Sequence, residues 1–482
     1  MATQEWPPII QGGMGVGVSN WRLARSVSQA GQLGVVSGTG IDTVLLRRLQ
    51  DGDLGGHMRR ALSASPWPKM AQAVVSRFYL FKGRVPGTAY ARLPLWTLDP
   101  HKLRTMLAML GGFVEVWLAK ERHSGKVGLN LLTKVALPNL PIIYGAMHAG
   151  VDVVLMGAGI PREIPGALDD LARHQATQVR GEVVGQDAHD PTWIRFDPAS
   201  WLEEPATVLP RPAFFPIIAA NSLALLMAKK ASGDIQGFVV EGPSAGGHNA
   251  PPRGAKHFDT FGQPVYSERD QVDYGALKQL GYPFWLAGGL GRDNGLRDAW
   301  RHGATGIQVG TLFAYCRESG LTDTVKTRVI QSLARGTVDV FTDPLASPTG
   351  FPFKVAQVPG TLSDSRIYAD RSRVCDVGYL REMYVDPRGM IGYRCASEPV
   401  ADYVRKGGAV SDTMNRKCLC NGLMAAVGYG QVQPSGPEKP IVTTGDGLSA
   451  VGDLAGPSGT SYSAHDVIRY LLDGTAFGAE GR

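Results

Sequence analysis

Short apolar runs recur along the first 345 residues, most of them ending in glycine. Eight of them have strand length, at residues 8–11, 33–37, 127–132, 152–156, 214–219, 237–240, 284–287 and 306–309. Most are followed by apolar residues three and four positions apart, as in the helix predicted through Leu103, Leu107 and Leu110. Alternating strands and helices predict parallel strands, and eight such units closing on themselves predict a (β/α)8 TIM barrel.

Three stretches depart from this alternation. Residues 178–205 predict an inserted hairpin, because two strand-like runs flank a polar turn, and the Pro- and Gly-bearing residues 249–275 predict a lid loop. The segment that holds Pro66, Pro86, Pro94 and several aromatic residues is interpreted in part as an insertion or covering loop. We therefore expect a barrel over residues 1–345, with the insertion at about 178–205, and a C-terminal extension over 346–482.

Composition narrows the class of protein. An apolar fraction of 44% in 482 residues is ample for a core. The net charge of +6 is scattered, without a basic run interleaved with aromatics, so we expect no nucleic-acid partner. No apolar stretch approaches the ~20 residues that span a bilayer, so we expect no membrane partner. Five cysteines and an N-terminus (Met1 to Trp6) without basic and apolar regions predict a reducing, cytoplasmic location.

The stretch from Glu241 to Asn249 contains the main candidate catalytic residue. It follows the apolar run 237–240, and Gly246 and Gly247 remove side-chain bulk just before His248. In a barrel of this kind, the active site lies at the carboxyl ends of the strands. An imidazole at a strand end can change its protonation near neutral pH, which suits acid–base work on a small-molecule substrate.

Glycine-rich turns follow the seventh and eighth predicted strands. In barrels this pair of loops commonly binds a phosphate through backbone N–H groups, here at Gly288, Gly289, Gly310 and Thr311. A phosphate held there directs the rest of its molecule across the barrel mouth. A flat heterocycle would then meet Gln11, Gly12, Gly13, Met14 and Asn130. These residues fit flavin mononucleotide (FMN) better than a metal, because the barrel loops have no His and carboxylate cluster with ligand spacing.

The motifs resemble the nitronate monooxygenase (2-nitropropane dioxygenase) family over residues 7–345. The resemblance rests on the runs at 8–15, 127–130, 245–248, 287–289 and 306–311, which occur in the family's order. It implies an FMN-dependent barrel in which the glycine loops and Thr311 hold the FMN phosphate, Asn130 contacts the flavin, and His248 stands over the substrate. The implied reaction is monooxygenase-type oxidation of nitronates or nitroalkanes.

Two further functions stay open, because the run before His248 departs from the family's Gln-Gly-x-Glu-Ala-Gly-Gly-His-x-Gly pattern. Here Glu241, Ser244 and Ala250 stand in place of the Gln, the Glu and the last Gly. The result is similar to flavin-dependent enoyl reductase subunits, which implies that NAD(P)H reduces FMN and hydride passes to an activated C=C bond. The third function is a non-catalytic flavoprotein subunit that kept the barrel.

Four of the five cysteines lie in the predicted extension, at Cys375, Cys395, Cys418 and Cys420. Four thiolates could bind zinc or an iron–sulfur cluster, although no standard ligand spacing is present. Arg416 and Lys417 are expected to lower the thiol pKa values. The alternative is that the four residues are buried free thiols, which behave as small hydrophobic side chains.

Overall fold

The computed structural model describes residues 6–187, 189–202, 207–456 and 461–476. The N-terminal residues 1–5, part of the predicted insertion (188 and 203–205) and part of the predicted extension (457–460 and 477–482) lie outside the described residues. The strands are β1 (Ile9–Gln11), β2 (Gly34–Ser37), β3 (Val127–Leu132), β4 (Val153–Gly157), β5 (Thr177–Gly181), β6 (Val183–Val184), β7 (Thr192–Phe196), β8 (Ala213–Ile218), β9 (Phe238–Glu241), β10 (Phe284–Ala287), β11 (Gly306–Val309), β12 (Val340–Asp343), β13 (Phe353–Ala356), β14 (Glu382–Val385), β15 (Ile391–Arg394), β16 (Val432–Gln433) and β17 (Gly436–Pro437).

Helices separate most of these strands. They are α1 (Trp21–Gln29), α2 (Ile41–Gln50), α3 (His57–Ser63), α4 (Pro68–Phe78), α5 (Lys102–Lys120), α6 (Asn139–His148), α7 (Ile164–Ala172), α8 (Asn221–Lys230), α9 (Tyr274–Gln279), α10 (Gly295–Arg301), α11 (Thr311–Ala314), α12 (Asp323–Ala334), α13 (Ser365–Ala369), α14 (Val400–Arg405), α15 (Leu419–Ala426), α16 (Ser449–Ala455) and α17 (Ala464–Ala476). Among the described residues, no helix has both the length and the apolar content needed to cross a membrane.

Eight parallel strands form one sheet in the order β1-β11-β10-β9-β8-β4-β3-β2. The two ends of the sheet meet, since Gln11 N–H donates to the Leu33 carbonyl at 3.0 Å and Leu33 N–H donates to the Ile9 carbonyl at 3.1 Å. A parallel bridge between Ile10 and Leu33 joins β1 to the residue before β2. The sheet therefore closes into a ring, which confirms the predicted (β/α)8 barrel.

Two apolar cores hold the barrel together. Large side chains from strands around the ring form an inner cluster, in which the rings of Phe215 and Trp285 stack with their centroids 4.9 Å apart. The other faces of the strands pack against the helices in the main core. Because both faces are covered, the strands are apolar runs rather than alternating ones, as is usual for parallel sheets.

The segment between β2 and α5 differs from the expected covering loop. It contains the three helices α2, α3 and α4, and Pro68 occupies the first turn of α4. Proline is tolerated there because its missing N–H has no partner inside a helix. Only the irregular residues that follow α4, up to α5, resemble the expected loop.

The residues of the predicted insertion and extension meet in one sheet. Strand β5 pairs antiparallel with β7 where the sequence predicts a hairpin, but the first strand breaks at Glu182. Strand β6 pairs instead with β14, which also pairs antiparallel with β15. The division of the chain at residue 345 stays a prediction, and residues beyond it contact both the insertion and the barrel.

Candidate active site

One large cavity opens at the carboxyl ends of the barrel strands. Its volume is about 260 Å³. This is close to the lower end of the roughly 300–1,000 Å³ typical of a small-molecule site. The sequence-predicted residues that line it are Gly12, Gly13, Met14, Asn130, Gly246, Gly247, His248, Gly288, Gly289, Gly310 and Thr311. Residues from five separate parts of the barrel mouth therefore face one space.

Gln11 is the exception among the predicted cofactor-binding residues, because its side chain does not line the cavity. The side chain is fully buried and donates from Nε2 to Ser19 Oγ at 2.8 Å and to the Gly12 carbonyl. Its Oε1 accepts the N–H of Val35 at 2.9 Å. These bonds hold the loop that follows β1, so Gln11 supports the cavity wall from behind.

Asn130 lies at the end of β3, directly against the loop that follows β1. A Cβ on Gly13 would come within 2.1 Å of the Asn130 Cβ, which no side chain at position 13 could avoid. Only glycine permits this approach of the loop to Asn130. The loop after β1 and strand β3 are therefore in direct contact where both line the cavity.

His248 is held at the cavity wall by contacts with residues beyond 345. Its Nε2 lies 2.7 Å from Ser347 Oγ, and its ring packs edge-on against Phe353 with centroids 4.8 Å apart. Burial and, to a smaller extent, the positive charge of Lys134 together lower the pKa of His248 to about 4. The imidazole is therefore neutral at physiological pH, with one donor and one acceptor nitrogen.

Two polar side chains at the cavity were not assigned a role from the sequence. Glu241 ends β9 and lines the cavity, and its carboxyl group makes no hydrogen bond to another described residue. Burial raises its pKa to about 8, so the carboxyl group keeps its proton at neutral pH. Gln308 of β11 also lines the cavity, and its buried Oε1 has no hydrogen-bond partner. Both residues belong to motifs identified in the sequence, but no sequence pattern indicates that their side chains face the cavity without a hydrogen-bond partner.

Residues beyond 345 form the opposite wall of the cavity. They are Phe353, Tyr379, Leu380, Leu419, Cys420, Leu423, Ala426, Ile441, Thr443, Thr444, Gly445 and Gly447. The N–H of Gly445 donates to Thr311 Oγ1 at 3.0 Å, and the N–H of Gly247 donates to Thr443 Oγ1 at 2.9 Å. A Cβ on Gly246 would lie 2.8 Å from the Gly445 nitrogen. The barrel loops and residues 443–447 therefore build the site together.

Sequence reasoning missed this second wall. The signal that could have found it is the apolar pair Ile441 and Val442, followed by Thr443 to Gly447 and the helix α16. This is the same order of apolar run, small-residue turn and helix that marks the barrel loops.

The four cysteines of the extension lie around one small cavity next to the main one. That cavity is lined by Cys375, Cys395, Cys418 and Cys420, and Cys420 also lines the main cavity. All four are free thiols, and burial raises the pKa of each. The described part of the chain contains no group of three or more His, Cys, Asp or Glu residues placed to hold a metal ion. The structure therefore does not support the predicted zinc or iron–sulfur site.

The expected lowering of the thiol pKa values by neighbouring cations is wrong. Arg416 donates to the backbone carbonyls of Leu345 and Ser347 at 2.9 and 2.7 Å. The ammonium group of Lys417 donates to the carbonyl of Leu362 at 2.9 Å. Both cations are thus engaged with backbone, and the cost of burying a thiolate decides the shift.

The comparison with protein families agrees with the sequence motifs. Residues 211–344 match the model of the nitronate monooxygenase family. The matched segment carries β8 to β11, His248 and the glycine loops at 288–289 and 310–311. This confirms the resemblance predicted from the sequence. This part of the barrel is therefore similar to a family of oxidoreductases, the nitronate monooxygenases.

Several solved structures are similar over nearly the whole chain. FabK from Thermotoga maritima is 15% identical, covers 99% of this chain and 95% of its own, and gives a TM-score of 0.46. Nitroalkane oxidase from Streptomyces ansochromogenes is 14% identical, covers 98% of this chain and 97% of its own, and gives a TM-score of 0.44. The enoyl reductase domain of MlnA from Bacillus amyloliquefaciens is 12% identical, covers 98% of this chain and 94% of its own, and gives a TM-score of 0.48. No curated protein matches the chain. At these identities the likenesses say nothing about the reaction of this chain.

Proposed function

We propose that this protein is an FMN-dependent reductase of carbon–carbon double bonds conjugated to a carbonyl, with NAD(P)H as the electron donor. The observation that carries this proposal is the carboxyl group of Glu241. It lines the cavity, has no hydrogen-bond partner among the described residues, and has a pKa raised by burial to about 8. Such a group is a proton donor at neutral pH, and adding two hydrogens to a double bond requires a proton as well as a hydride.

The cavity has the groups that FMN requires. Gly289 and Gly310 follow β10 and β11, and their N–H groups have no acceptor among the described residues, so both are available to phosphate oxygens. The unpaired Oε1 of Gln308 can accept from a ring N–H, as can the amide oxygen of Asn130. Buried polar groups without partners are costly in a folded protein, which supports a ligand that satisfies them.

In this proposal the residues of the chain bind, orient and move a proton. The glycine loops, Gln308 and Asn130 would hold FMN, which would supply the redox chemistry that moves a hydride from NAD(P)H to the β-carbon. Neutral His248 donates a hydrogen bond from its ring to the substrate carbonyl, which stabilises the negative charge that develops there. Glu241 gives its proton to the α-carbon and regains one from solvent. The apolar side chains Leu380, Leu419 and Ile441 of the second wall exclude water from the reacting atoms.

Oxidation of nitronates is the second candidate, and the family match over residues 211–344 favours it. Neutral His248, with its depressed pKa, could then accept a proton from a nitroalkane. In this reaction electrons come from the substrate and dioxygen restores the oxidised flavin. Glu241 has no evident role in nitronate oxidation, and we therefore place this reaction second.

An anaerobic comparison of electron donors separates the two functions. The FMN-loaded full chain is mixed with NADPH, with NADH or with propionate 3-nitronate, and the flavin absorbance is followed. We expect bleaching by a nicotinamide only, and recovery of the colour on adding the crotonyl thioester of N-acetylcysteamine, with butyryl thioester as product. If only the nitronate bleaches the flavin, the reductase proposal is wrong and nitronate oxidation is the function. An FMN-bound chain that reacts with none of these would be a non-catalytic flavoprotein.

A further inference from the structure

Two hydroxyl groups form a chain that ends on the imidazole of His248. Its Nε2 lies 2.7 Å from Ser347 Oγ, and this oxygen lies 2.8 Å from Thr349 Oγ1. Ser347 Oγ also accepts the backbone N–H of Thr349 at 3.3 Å. His248 has no other side-chain hydrogen bond to a described residue. Its Nδ1 is therefore the ring nitrogen left for a ligand.

The turn that carries Ser347 is fixed by backbone contacts. Ser347 is completely buried, and its carbonyl accepts from Arg416 Nη1 at 2.7 Å. The carbonyl of the preceding Ala346 accepts the N–H of Lys417 at 2.8 Å. Since both neighbouring peptide groups are held, the hydroxyl of Ser347 has a defined position.

The loop that carries His248 is fixed to the same segment. Its backbone pairs with residues next to the turn, since Lys354 N–H donates to the Gly247 carbonyl and Asn249 N–H donates to the Pro352 carbonyl, both at 2.9 Å. An antiparallel bridge joins His248 to Phe353. The imidazole and the Ser347 hydroxyl are thus held in register, so their short contact is a consequence of the fold.

The number of available protons and lone pairs permits two hydrogen-bond arrangements among Thr349, Ser347 and His248. Ser347 Oγ has one proton, and the N–H of Thr349 occupies one of its two lone pairs. In the first arrangement Thr349 donates to Ser347, and Ser347 donates to Nε2, so the imidazole proton is on Nδ1. In the second, Nε2–H donates to Ser347 and Ser347 donates to Thr349, so Nδ1 has a lone pair.

We propose that Ser347 is a positioning residue that donates to Nε2 of His248 and thereby keeps the imidazole proton on Nδ1, where the substrate binds. Thr349 completes the arrangement by donating to Ser347. Ser347 does not line the cavity, so it acts through His248. The choice between the two arrangements rests on the proposed reductase function, in which Nδ1–H polarises the substrate carbonyl. The second arrangement would suit a base.

The tautomer can be measured without any turnover. The full chain loaded with FMN is labelled with ¹⁵N-histidine, and long-range ¹H–¹⁵N correlations at pH 7 report which ring nitrogen is protonated. A His248→Gln chain identifies the His248 signals among the ten histidines. We expect the Nδ1–H form. The Nε2–H form would overturn the proposal. Because the tautomer is measured without turnover, this result does not depend on the outcome of the reductase assay.

Paired variants test whether the hydroxyls act through His248. We expect Ser347→Ala to give a mixture of tautomers and to lower kcat roughly 10-fold to 100-fold with KM little changed, because the ring loses its alignment. Thr349→Val should lower kcat about tenfold, and Thr349→Ser, which keeps the hydroxyl, should restore it. The exposed Ser411→Ala in the same extension is the control. Wild-type kcat and an unchanged tautomer in both Ser347→Ala and Thr349→Val would overturn the proposal.

Discussion

Replacing Glu241 by glutamine is expected to lower the rate of double-bond reduction by about 10²-fold to 10³-fold, within the range for loss of a general acid. The amide fills the same space at the end of β9 but has no proton to give. NADPH should still reduce the bound flavin at a rate within about twofold of wild type, because that step needs no acid. Single-turnover kinetics resolve the two half-reactions and check both expectations.

The pH dependence supplies an independent readout for the same residue. Because the pKa of Glu241 is raised to about 8, its acid form predominates below pH 8 and is lost above it. The rate of the oxidative half-reaction should therefore fall as the pH rises through about 8 in the wild type, and should lose this dependence in Glu241→Gln. Burial raises the pKa of Tyr266, and the charges of Asp270, Asp446 and Glu241 raise it further. A Tyr266→Phe chain therefore shows whether that hydroxyl contributes to the pH dependence.

The control for Glu241 is Glu268→Gln, which makes the same chemical change on an exposed residue of the predicted lid loop. It should leave both half-reactions unchanged. If Glu241→Gln reduces the substrate as fast as wild type, or keeps the fall in rate near pH 8, Glu241 is not the acid.

Replacing Asp42 by alanine is expected to lower the free energy of unfolding by about 3–5 kcal/mol, the usual effect of removing one partner of a buried ion pair. Asp42 and Arg104 are both almost completely buried, with Nε and Oδ2 3.0 Å apart. The carboxylate also accepts from Trp96 Nε1 at 3.2 Å and from the hydroxyl of Tyr379. Without it, the guanidinium of Arg104 would remain buried without a counter-charge.

Urea unfolding followed by tryptophan fluorescence measures this effect. Asp323→Ala is the matched control, because this carboxylate is fully exposed and lies 4.0 Å from Lys326. It should change the free energy of unfolding by less than about 0.5 kcal/mol. Adding Arg104→Met to Asp42→Ala should recover part of the loss, since the unpaired charge is then removed. A loss under about 1 kcal/mol in Asp42→Ala would contradict the assigned role of the pair.

Strand positions were predictable because most barrel strands are apolar runs bounded by glycine. Three predicted runs coincide with β3, β10 and β11, and the other five differ from β1, β2, β4, β8 and β9 by one residue at one or both ends. The helices α2 and α4 were harder, because proline and aromatic residues between them suggested a loop. In the structure those residues lie at helix starts or pack against the core, as Pro68, Trp67 and Phe78 do. Local propensity did not distinguish helix from loop in this segment, and tertiary packing determined that it is helical.

The candidate site was only half predictable. Loops at the ends of parallel strands must meet at one edge, so the geometry of the barrel alone brings Gly13, Asn130 and Gly289 together. No such rule relates residues 443–447 or Ser347 to the barrel mouth, because their contacts span about a hundred residues or more of sequence. The raised pKa of Glu241 depends on its burial in the folded chain, so the sequence shows the residue but not its protonation state.

Titration of the flavin-free full chain with FMN, followed by flavin fluorescence, tests most directly whether the barrel mouth is a cofactor site. We predict saturation at one FMN per chain, and loss of binding in Gly13→Val, whose side chain would overlap Asn130 in the cavity wall. A chain that takes up no FMN, or that binds it equally well with valine at position 13, would contradict this account of the site.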